Sequence, residues 1–454
     1  MIDTTTSAGV TARLAAWSAG LQFDDLPDNV VHAAKRSLLD HLGLVIGAGD
    51  EPAVQHALAT VRELGGSPHA SVLGTDHRTS VQNAALVNAI ASHVLDYDDT
   101  HLPTVIHPTG PAMAAALPIG QWKKRDGRSL ITAFAAGFEV ECRIAMAVHP
   151  AHYDVGWHIT GTAGTFGAAA AAARLLDLSP RQMSWAFGMA GSQAGGFREQ
   201  FGFMTKSLHP GKAASNGVLA ALLASHGFDS SEQILEAPRG FCHVASTVQS
   251  FEELEADLGE RWAFFQTGFK PYACGLVTHP AIDGVRLLRD EHDLKAEQIA
   301  AIDLKVHPLV IELTGKREPR VGLEGKFSIY HCAAIALLDG AAGPSQFSDE
   351  AVNRPQAVAL RRKVAATIDP ALEEEQAEVA IVLTNGRNLT RRIEAATGTR
   401  TNPMSDSQVE AKFRDLVWAG LPQWKQERLI EMVWSVDELP DVATIADLLT
   451  PFES

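Results

Sequence analysis

The residue types best suited to acid–base chemistry are concentrated in one short stretch, Asp96 to Gly110. Three carboxylates, the hydroxyl of Thr100 and two imidazoles stand there, in the order Asp96, Asp98, Asp99, Thr100, His101 and His107. The preceding segment, residues 84–95, is an apolar helical pattern without Asp, Glu, Lys or Arg. Because burying carboxylates is costly unless they have partners, we interpret the stretch as a buried helix end with a chemical role. The alternative is a solvated helix cap.

The spacing of these residues predicts how their side chains are aimed. If the helix continues past residue 95, Asp96 and Thr100 lie four residues apart on one face. Pro103 then ends the helix, since its ring removes a backbone donor and clashes with the preceding turn. His107 precedes Pro108 and is therefore restricted to extended geometry. We expect His107 to point back toward Asp96 and Thr100.

A second candidate is His158, in the glycine-punctuated segment Gly156–Gly164. This segment reads as the start of a helix, whose free backbone N–H groups favour an anion. The alternative is a helix cap with a satisfied imidazole, in which the glycines serve only close helix packing.

Two lysines lie in a long polar and glycine-rich segment, residues 195–212, which is predicted to be a loop. Loops of this length are uncommon in compact helical domains unless they are functional. Lys212 abuts the helix predicted from Ala213, where a cation is unfavourable unless an anion is also present. Lys206 lies in the same segment, before the predicted helix. The alternative is that both lysines are simply solvated.

Composition restricts the partners and the compartment. The chain has 454 residues and a formal net charge of −16, which favours two domains and argues against nucleic acid or an anionic membrane as partner. A site for an anion must then be a local cationic pocket. The four cysteines have no CxxC spacing and are expected to be reduced core thiols. No signal peptide or membrane-spanning run is visible, so we expect a cytoplasmic protein.

Hydrophobic periodicity predicts a mainly α fold with two domains. Amphipathic helices are expected up to residue 268 and again after a capping box at residues 405–408, whereas 269–404 mixes helices and strands. The main helices are predicted at 7–22, 28–48, 51–64, 80–95, 129–148, 165–176, 179–190, 213–223, 251–258, 277–292, 327–338, 408–419, 423–434 and 440–449. A strand is predicted at 301–308, and Asn385-Gly386 predicts a hairpin over 376–393. We therefore expect an all-helical domain (1–268 and 405–454) and a smaller α+β lid domain (269–404).

Five motifs resemble those of the MmgE/PrpD family, in the family's order over nearly the whole chain. They are Asp96-Tyr-Asp-Asp-Thr100, His107-Pro-Thr-Gly, Thr205-Lys206-Ser-Leu-His209-Pro-Gly-Lys212, Phe269-Lys270-Pro-Tyr-Ala-Cys274 and Lys326-Phe-Ser-Ile-Tyr-His331. The family includes 2-methylcitrate dehydratase, cis-aconitate decarboxylase and iminodisuccinate epimerase. The resemblance implies a helical domain with an α+β lid, an active site between them, a homodimer and no required cofactor.

The resemblance also implies site residues. The decarboxylase-type aspartate and threonine correspond to Asp96 and Thr100, the histidines to His107 and His158, and the lysines to Lys206 and Lys270. One position departs from the pattern. The decarboxylase tyrosine falls on His331, with Tyr330 one place earlier, and on a helix these two point about 100° apart. The subfamily therefore stays open.

The candidate residues suit a small di- or tricarboxylate. We predict Asp96, His107, His158, Lys206, Lys270 and His331 as catalytic residues, and Thr100, Lys212 and Tyr330 as substrate-binding residues. Fixed lysines stabilise charge that develops on a carboxylate-stabilised enolate, and histidines move the proton. Asp96 is expected to orient His107 or to transfer protons. No HExxH pattern supports a metal site, and no nucleotide motif is present, so no metal or cofactor is predicted.

Several reactions share this intermediate. The leading prediction is a 2-methylcitrate dehydratase-like hydro-lyase. The alternatives are an epimerase of an iminodisuccinate-like dicarboxylate, a cis-aconitate decarboxylase and a non-catalytic helical scaffold.

Overall fold

The computed structural model describes residues 9–418 and 420–450, which form two compact units. The helical unit takes the described residues of Met1–Val94, Asp98–Thr267 and Asp406–Ser454, and the α+β unit takes Leu95–Tyr97 and Gly268–Ser405. No helix in the described ranges combines the length and the apolar character needed to cross a membrane. The N-terminal residues behind the signal-peptide prediction lie outside the described residues.

The first part of the chain is almost entirely helical. Its helices are α1 (Val10–Gly20), α2 (Asp28–Gly47), α3 (Pro52–Leu64), α4 (Val81–Val94), α5 (Thr109–Lys123), α6 (Gly127–Val148), α7 (Ala151–Asp154), α8 (Ile159–Leu175), α9 (Pro180–Gln193), α10 (Thr205–Ser225) and α11 (Phe241–Ala245). Four strands of two residues each accompany them: β1 (Ala70–Ser71), β2 (Arg78–Thr79), β3 (Thr100–His101) and β4 (Thr267–Gly268).

Helix α8 lies at the centre of the helical unit and packs against α5, α6, α9 and α10. Its alanine run, residues 168–173, is fully buried. Small residues on the neighbouring helices allow close approach. A Cβ added at Gly217 of α10 would lie 2.5 Å from the Ala168 side chain, and one at Gly137 of α6 would lie 2.6 Å from the Gly167 carbonyl. The core that supports the site is therefore built from close backbone contacts, and larger side chains would disrupt it.

The helix predicted at 80–95 is confirmed as α4, but the condition that it continues to Thr100 is not met, because the helix ends at Val94. Asp96 takes a left-handed backbone conformation with φ of 51°, which a right-handed helix does not accommodate. Asp96 and Thr100 consequently do not share a helical face.

The segment predicted as a loop up to residue 212 is also partly wrong, since α10 begins at Thr205. Pro210 and Gly211 favoured a break, but both lie inside the helix. A Cβ at Gly211 would lie 2.6 Å from the Ile90 side chain. Close packing of α10 on α4 thus outweighs the low helix propensity of these two residues.

The helix predicted at 251–258 is limited to a 3-10 turn over Phe251–Leu254. Arg143 explains this, because its guanidinium donates hydrogen bonds to the carbonyl oxygens of Glu253 (3.2 Å), Ala256 (2.7 Å) and Arg261 (3.0 Å). Carbonyls held by a buried side chain are not free to form a regular helix.

The α+β unit contains one four-stranded sheet with helices packed on it. Its elements are α12 (His279–His292), β5 (Ile299–Val306), α13 (Pro308–Thr314), α14 (Gly322–Gly325), α15 (Ile329–Asp339), α16 (Asp349–Asn353), α17 (Pro355–Arg361), β6 (Val364–Ile368), β7 (Ala377–Leu383) and β8 (Asn388–Ile393). The strand order is β6-β5-β7-β8, and only the β5–β6 pair is parallel. The predicted strand at 301–308 and the hairpin turning at Asn385-Gly386 are confirmed.

The chain returns to the helical unit through α18 (Asp406–Val417), α19 (Gln423–Trp434) and α20 (Ala443–Leu449). A buried ion pair of 2.7 Å between Lys412 and Asp40 ties α18 to α2. The prediction of a mainly α protein with a smaller α+β part is confirmed.

Candidate active site

The loop before His107 is a tight turn that fixes the backbone position of this residue. The His101 amide donates to the Ile106 carbonyl at 2.8 Å, and Val105 between them has φ of 55°. Positive φ is unfavourable for a β-branched residue, and such strain is found where the surroundings impose it. The His107 amide then donates to Thr160 Oγ1 at 3.1 Å, so His107 is anchored to the start of α8.

The hydrogen bonds of the His107 ring select its tautomer. Nδ1 lies 2.9 Å from the Asp99 carbonyl oxygen, which only accepts, so Nδ1 carries the proton and donates. The Asp98 carboxylate lies 3.5 Å and Thr100 Oγ1 3.3 Å from the same nitrogen. Neutral His107 therefore carries its lone pair on Nε2, where it can accept a proton.

Asp98 links two imidazoles. Its second carboxylate oxygen accepts a hydrogen bond of 2.7 Å from His93 Nδ1, and the first lies near His107. Asp98 and His93 are both buried. A carboxylate in this position orients the rings and stabilises an imidazolium that forms during proton transfer.

A second pair of imidazoles is formed by His158 and His209, whose Nδ1 atoms lie 2.8 Å apart. One ring must donate and the other accept, so the two tautomers are coupled. His158 is the N-cap of α8, and its amide donates to the Gly196 carbonyl at 2.9 Å. Gly196 has φ of 131°, and a Cβ there would lie 2.9 Å from the His209 ring. Glycine at 196 is thus required for this approach.

Burial and nearby cations keep this second pair unprotonated. The pKa of His158 lies well below its usual range, chiefly because of burial and then because of the charges of His93 and Lys206. Burial, His93 and Lys206 also lower the pKa of His209 to about 4. Lys206 is itself buried, with its Nζ 5.5 Å from the centre of the Phe201 ring. The His158–His209 pair is therefore kept uncharged beside the buried cation Lys206.

Two further carboxyl groups, those of Asp99 and Glu141, are buried in the helical unit. Asp99 accepts a 2.6 Å hydrogen bond from Thr109 Oγ1, and burial raises its pKa to about 8. Glu141 is fully buried, and burial raises the pKa of its carboxyl well above the usual range. Burial thus favours the protonated form of both acids, which limits the negative charge inside the helical unit.

Three of these histidines could hold a metal ion. One ring nitrogen from each of His93, His107 and His158 lies within 4.8 Å of the others. Three histidines are a known ligand set for zinc. The sequence prediction of no metal stays a prediction.

The α+β unit holds Asp96 and Lys270, which form an ion pair of 3.0 Å. Lys270 Nζ also donates to the Asp96 carbonyl oxygen at 3.2 Å. Lys326 Nζ donates to the carbonyl oxygens of Leu95 and, at 3.0 Å, of Ala273. Two buried lysines thus fix the segment 95–97 within this unit.

The remaining predicted residues are placed apart from these contacts. His331 Nε2 donates to the Gln346 carbonyl at 3.0 Å, and burial lowers the pKa of His331 to about 4. The Tyr330 ring lies under the Arg317 guanidinium, 4.6 Å from its centre. Lys212 is exposed within α10, so its expected position at a helix N-terminus is wrong. Their roles at the site stay predictions.

Among the predicted residues, the helical unit thus brings together Thr100, His107, His158 and Lys206, and the α+β unit pairs Asp96 with Lys270. Sequence reasoning missed three members of the helical cluster: His93, Asp98 and His209. His209 stands three residues after Lys206, a spacing that places both on one side of a helix. Because this segment was predicted to be a loop, the helical spacing of Lys206 and His209 was not recognised.

Both halves of the chain match known domains. Residues 12–254 match the MmgE/PrpD N-terminal domain, and residues 272–438 match the MmgE/PrpD C-terminal domain. The cis-aconitate decarboxylase of Mus musculus is 30% identical over 463 residues, covering 97% of this chain and 93% of that protein. The Homo sapiens enzyme of this name is 29% identical over 460 residues, covering 97% and 94%.

A cis-aconitate decarboxylase of Aspergillus terreus is 27% identical over 478 residues, covering 98% of this chain and 97% of that protein. These relatives are lyases, and the matches indicate that the present protein is an enzyme of the same class. From the two matched domains we conclude that this chain belongs to the MmgE/PrpD family.

Proposed function

We propose that this protein removes carbon dioxide from a small unsaturated tricarboxylate of the cis-aconitate type. The observation that carries the proposal is the buried, uncharged His158–His209 pair beside Lys206 in the helical unit, with the His107 ring in the same cluster. The similarity to decarboxylases along almost the full chain supports the choice of reaction.

The chemistry required is a proton transfer at carbon. The bond to one carboxylate breaks and releases carbon dioxide, and its electron pair is shared with the neighbouring unsaturated carboxylate. One proton is then added to carbon, and it comes from water through a protein acid. A buried histidine with a lowered pKa is a strong acid once it has taken up a proton from water, so it donates that proton to carbon readily.

Lys206 would stabilise the negative charge that develops on the substrate. Two unit charges ~4 Å apart interact by about 4 kcal/mol at an effective dielectric constant of about 20. Because Lys206 is buried, a substrate carboxylate beside it interacts more strongly than it would at an exposed lysine. This role suits a substrate with several carboxylates.

Dehydration of a 2-methylcitrate-like hydroxy acid is the second candidate. It is favoured by the resemblance, which implies that His331 stands where the decarboxylases have a tyrosine; His331 contacts Gln346 and Phe347. Dehydration needs one group to take a proton from carbon and another to protonate the leaving hydroxyl. His107 and the His158–His209 pair are two such groups.

Proton NMR in D₂O with cis-aconitate, 2-methylcitrate and an iminodisuccinate stereoisomer distinguishes these reactions. The proposal predicts conversion of cis-aconitate to a decarboxylated alkene. Alkene formation from 2-methylcitrate alone would assign the hydro-lyase, and deuterium exchange with inversion would assign an epimerase. No reaction and no thermal shift with any of the three would contradict an enzyme of this kind.

Substituting Lys206 tests the electrostatic role. Lys206→Met should lower kcat/KM by about 10- to 100-fold, the value of one charge-assisted contact of about 1.5–3 kcal/mol. Lys123→Met, at an exposed lysine of α5, is the matched control. Equal kcat/KM in the two variants would remove Lys206 from the proposed mechanism.

A further inference from the structure

Four arginines line one cavity of about 380 Å³ in the α+β unit. They are Arg317, Arg320, Arg361 and Arg362, and the same cavity is lined by Tyr330 and by a single acidic residue, Glu318. Four guanidinium groups against one carboxylate is an unusual local balance in a chain with a formal net charge of −16. Repulsion among these guanidinium groups destabilises the folded protein unless an anion compensates their charge.

The neighbouring carboxylates form ion pairs with other residues. Glu324 pairs with Lys316 at 2.6 Å, and Asp339 pairs with Arg354 at 2.8 Å. None of the four cavity arginines forms an ion pair with a carboxylate of the described residues, within the 4.0 Å that defines such a pair. Their charge is therefore available to a ligand.

Arg361 is the most informative of the four because it is only 7% exposed. Its Nη1 donates to the Val352 carbonyl at 3.2 Å, which fixes the direction of the side chain. Burial lowers the pKa of its guanidinium, the nearby Glu318 carboxylate partly offsets this although it forms no ion pair with Arg361, and Arg362 lowers the pKa further. A buried guanidinium without a carboxylate partner is costly to the folded protein.

The end of α17 explains part of this charge. Arg361 and Arg362 stand at its C-terminus, where the helix dipole favours cations. The dipole does not account for Arg317 and Arg320, which come from the separate loop between α13 and α14.

That loop is held in place on both sides of the cavity. The Arg320 amide donates to Glu324 Oε2 at 2.7 Å, and the Arg320 carbonyl accepts from Asn353 Nδ2 at 2.9 Å. The Arg317 guanidinium lies 4.6 Å from the centre of the buried Tyr330 ring. Two chain segments are thus fixed with their arginines around one cavity, as binding sites for anions require.

We infer that this cavity binds a small anion with at least two negative charges, carried by phosphate or carboxylate groups. Guanidinium groups bind both kinds of oxyanion through paired hydrogen bonds. A volume of about 380 Å³ accommodates a metabolite rather than a macromolecular segment. The proposal does not rest on the reaction proposed above, because binding is measured without turnover.

Isothermal titration at constant ionic strength tests the inference, with pyrophosphate and propane-1,2,3-tricarboxylate as separate probes. The variants are Arg361→Gln and Arg317→Gln, and the matched control is Arg387→Gln, an exposed arginine at the β7–β8 turn of the same unit. We expect at least tenfold weaker binding of the better probe in both cavity variants and unchanged binding in the control. The better probe identifies the oxyanion.

Two further measurements keep the outcome clear. Arg317 is exposed, so Arg317→Gln remains informative if Arg361→Gln fails to fold, which circular dichroism will show. In Lys206→Met, the binding that the cavity variants weaken should persist, even if a second binding event of the tricarboxylate at the Lys206 cluster is lost. The inference is overturned if neither probe binds, if all variants bind equally, or if only Lys206→Met loses binding, since that would place the probe in the helical unit.

Discussion

Two buried polar clusters of this protein use their charges in different ways. In the helical unit, His93, His107, His158 and His209 form hydrogen bonds with Asp98, with the Asp99 carbonyl and with each other. In the α+β unit, Lys270 and Lys326 donate to Asp96 and to backbone carbonyls. The first set consists of imidazole nitrogens, which can accept and donate protons, whereas in the second set the lysines already donate to a carboxylate and to backbone carbonyls.

The difference shows why burial alone does not identify a catalytic residue. Lys206 and Lys270 are both buried, and sequence analysis gives both the same role. Lys206 is near histidines whose pKa it lowers, so its charge already acts on groups that can transfer protons. Lys270 compensates a carboxylate of its own chain. We therefore expect substitutions in the two clusters to affect different properties.

The largest expected effect is the loss of activity in His107→Gln. Removing a positioned general acid or base lowers turnover by about 10²–10⁴-fold, and glutamine retains much of the size of the ring. Turnover at saturating substrate, measured together with the unfolding temperature, tests this. The control is His32→Gln, at a histidine stacked on Trp434 and remote in sequence from the cluster. If the two variants were equally active, the imidazole cluster would not be the proton-transfer site.

The second prediction concerns stability. Lys270→Met should lower the free energy of unfolding by about 3–5 kcal/mol, because removing one partner of a buried ion pair leaves the other uncompensated. Chemical denaturation of the wild type and the variant measures this loss. The double variant Lys270→Met/Asp96→Asn should recover most of it, since the carboxylate is then neutral as well.

The same variants sharpen the comparison between the two lysines. If Lys270→Met, assayed well below its unfolding temperature, lost activity beyond its folded fraction, Lys270 would also bind substrate. A variant as stable as the wild type would show that the ion pair contributes nothing to the fold.

Sequence analysis predicted the fold well where local signals agreed with packing. The alternating strand before residue 308 and the Asn385-Gly386 turn gave the correct hairpin and central strand. It failed where tertiary contacts opposed local propensity. Pro210 and Gly211 indicate a break, yet α10 continues through them because Gly211 packs closely on α4. Likewise, the hydrogen bonds of Arg143 prevent a helix that the acidic pattern favoured.

The candidate site was predictable to the extent that spacing alone carries information. His107 and His158 were found because Pro108 and the glycines around 158 indicate special backbone geometry. Asp98 was missed because its role depends on reaching both His93 and His107, a contact between α4 and a later loop. Contacts of this kind depend on the tertiary fold and leave no periodic pattern in the sequence.

The third prediction uses the pH dependence of the His158–His209 pair. The pKa of His209 is lowered from 6.5 to about 4 in the folded protein, so the unfolded chain takes up its proton first as the pH falls. The stability that neutral His209 contributes is complete above pH 6.5 and is lost toward pH 4, by about 2–3 kcal/mol. His209→Asn cannot titrate, so its stability relative to the wild type should rise by this amount between pH 7 and 4.5. Chemical denaturation at both pH values measures it, and a constant difference would contradict a buried, neutral His209.

The smallest expected effect is that of metal removal, which separates proton transfer from metal chemistry in the helical unit. His93, His107 and His158 are close enough to hold an ion, but the charge of Lys206 acts on His158 and would repel a divalent cation in the same way. Dialysis against a chelator should therefore change turnover by less than about twofold, with less than one metal ion per chain by elemental analysis. A large loss that zinc restores would make these histidines ligands and would assign the proton transfer to other groups.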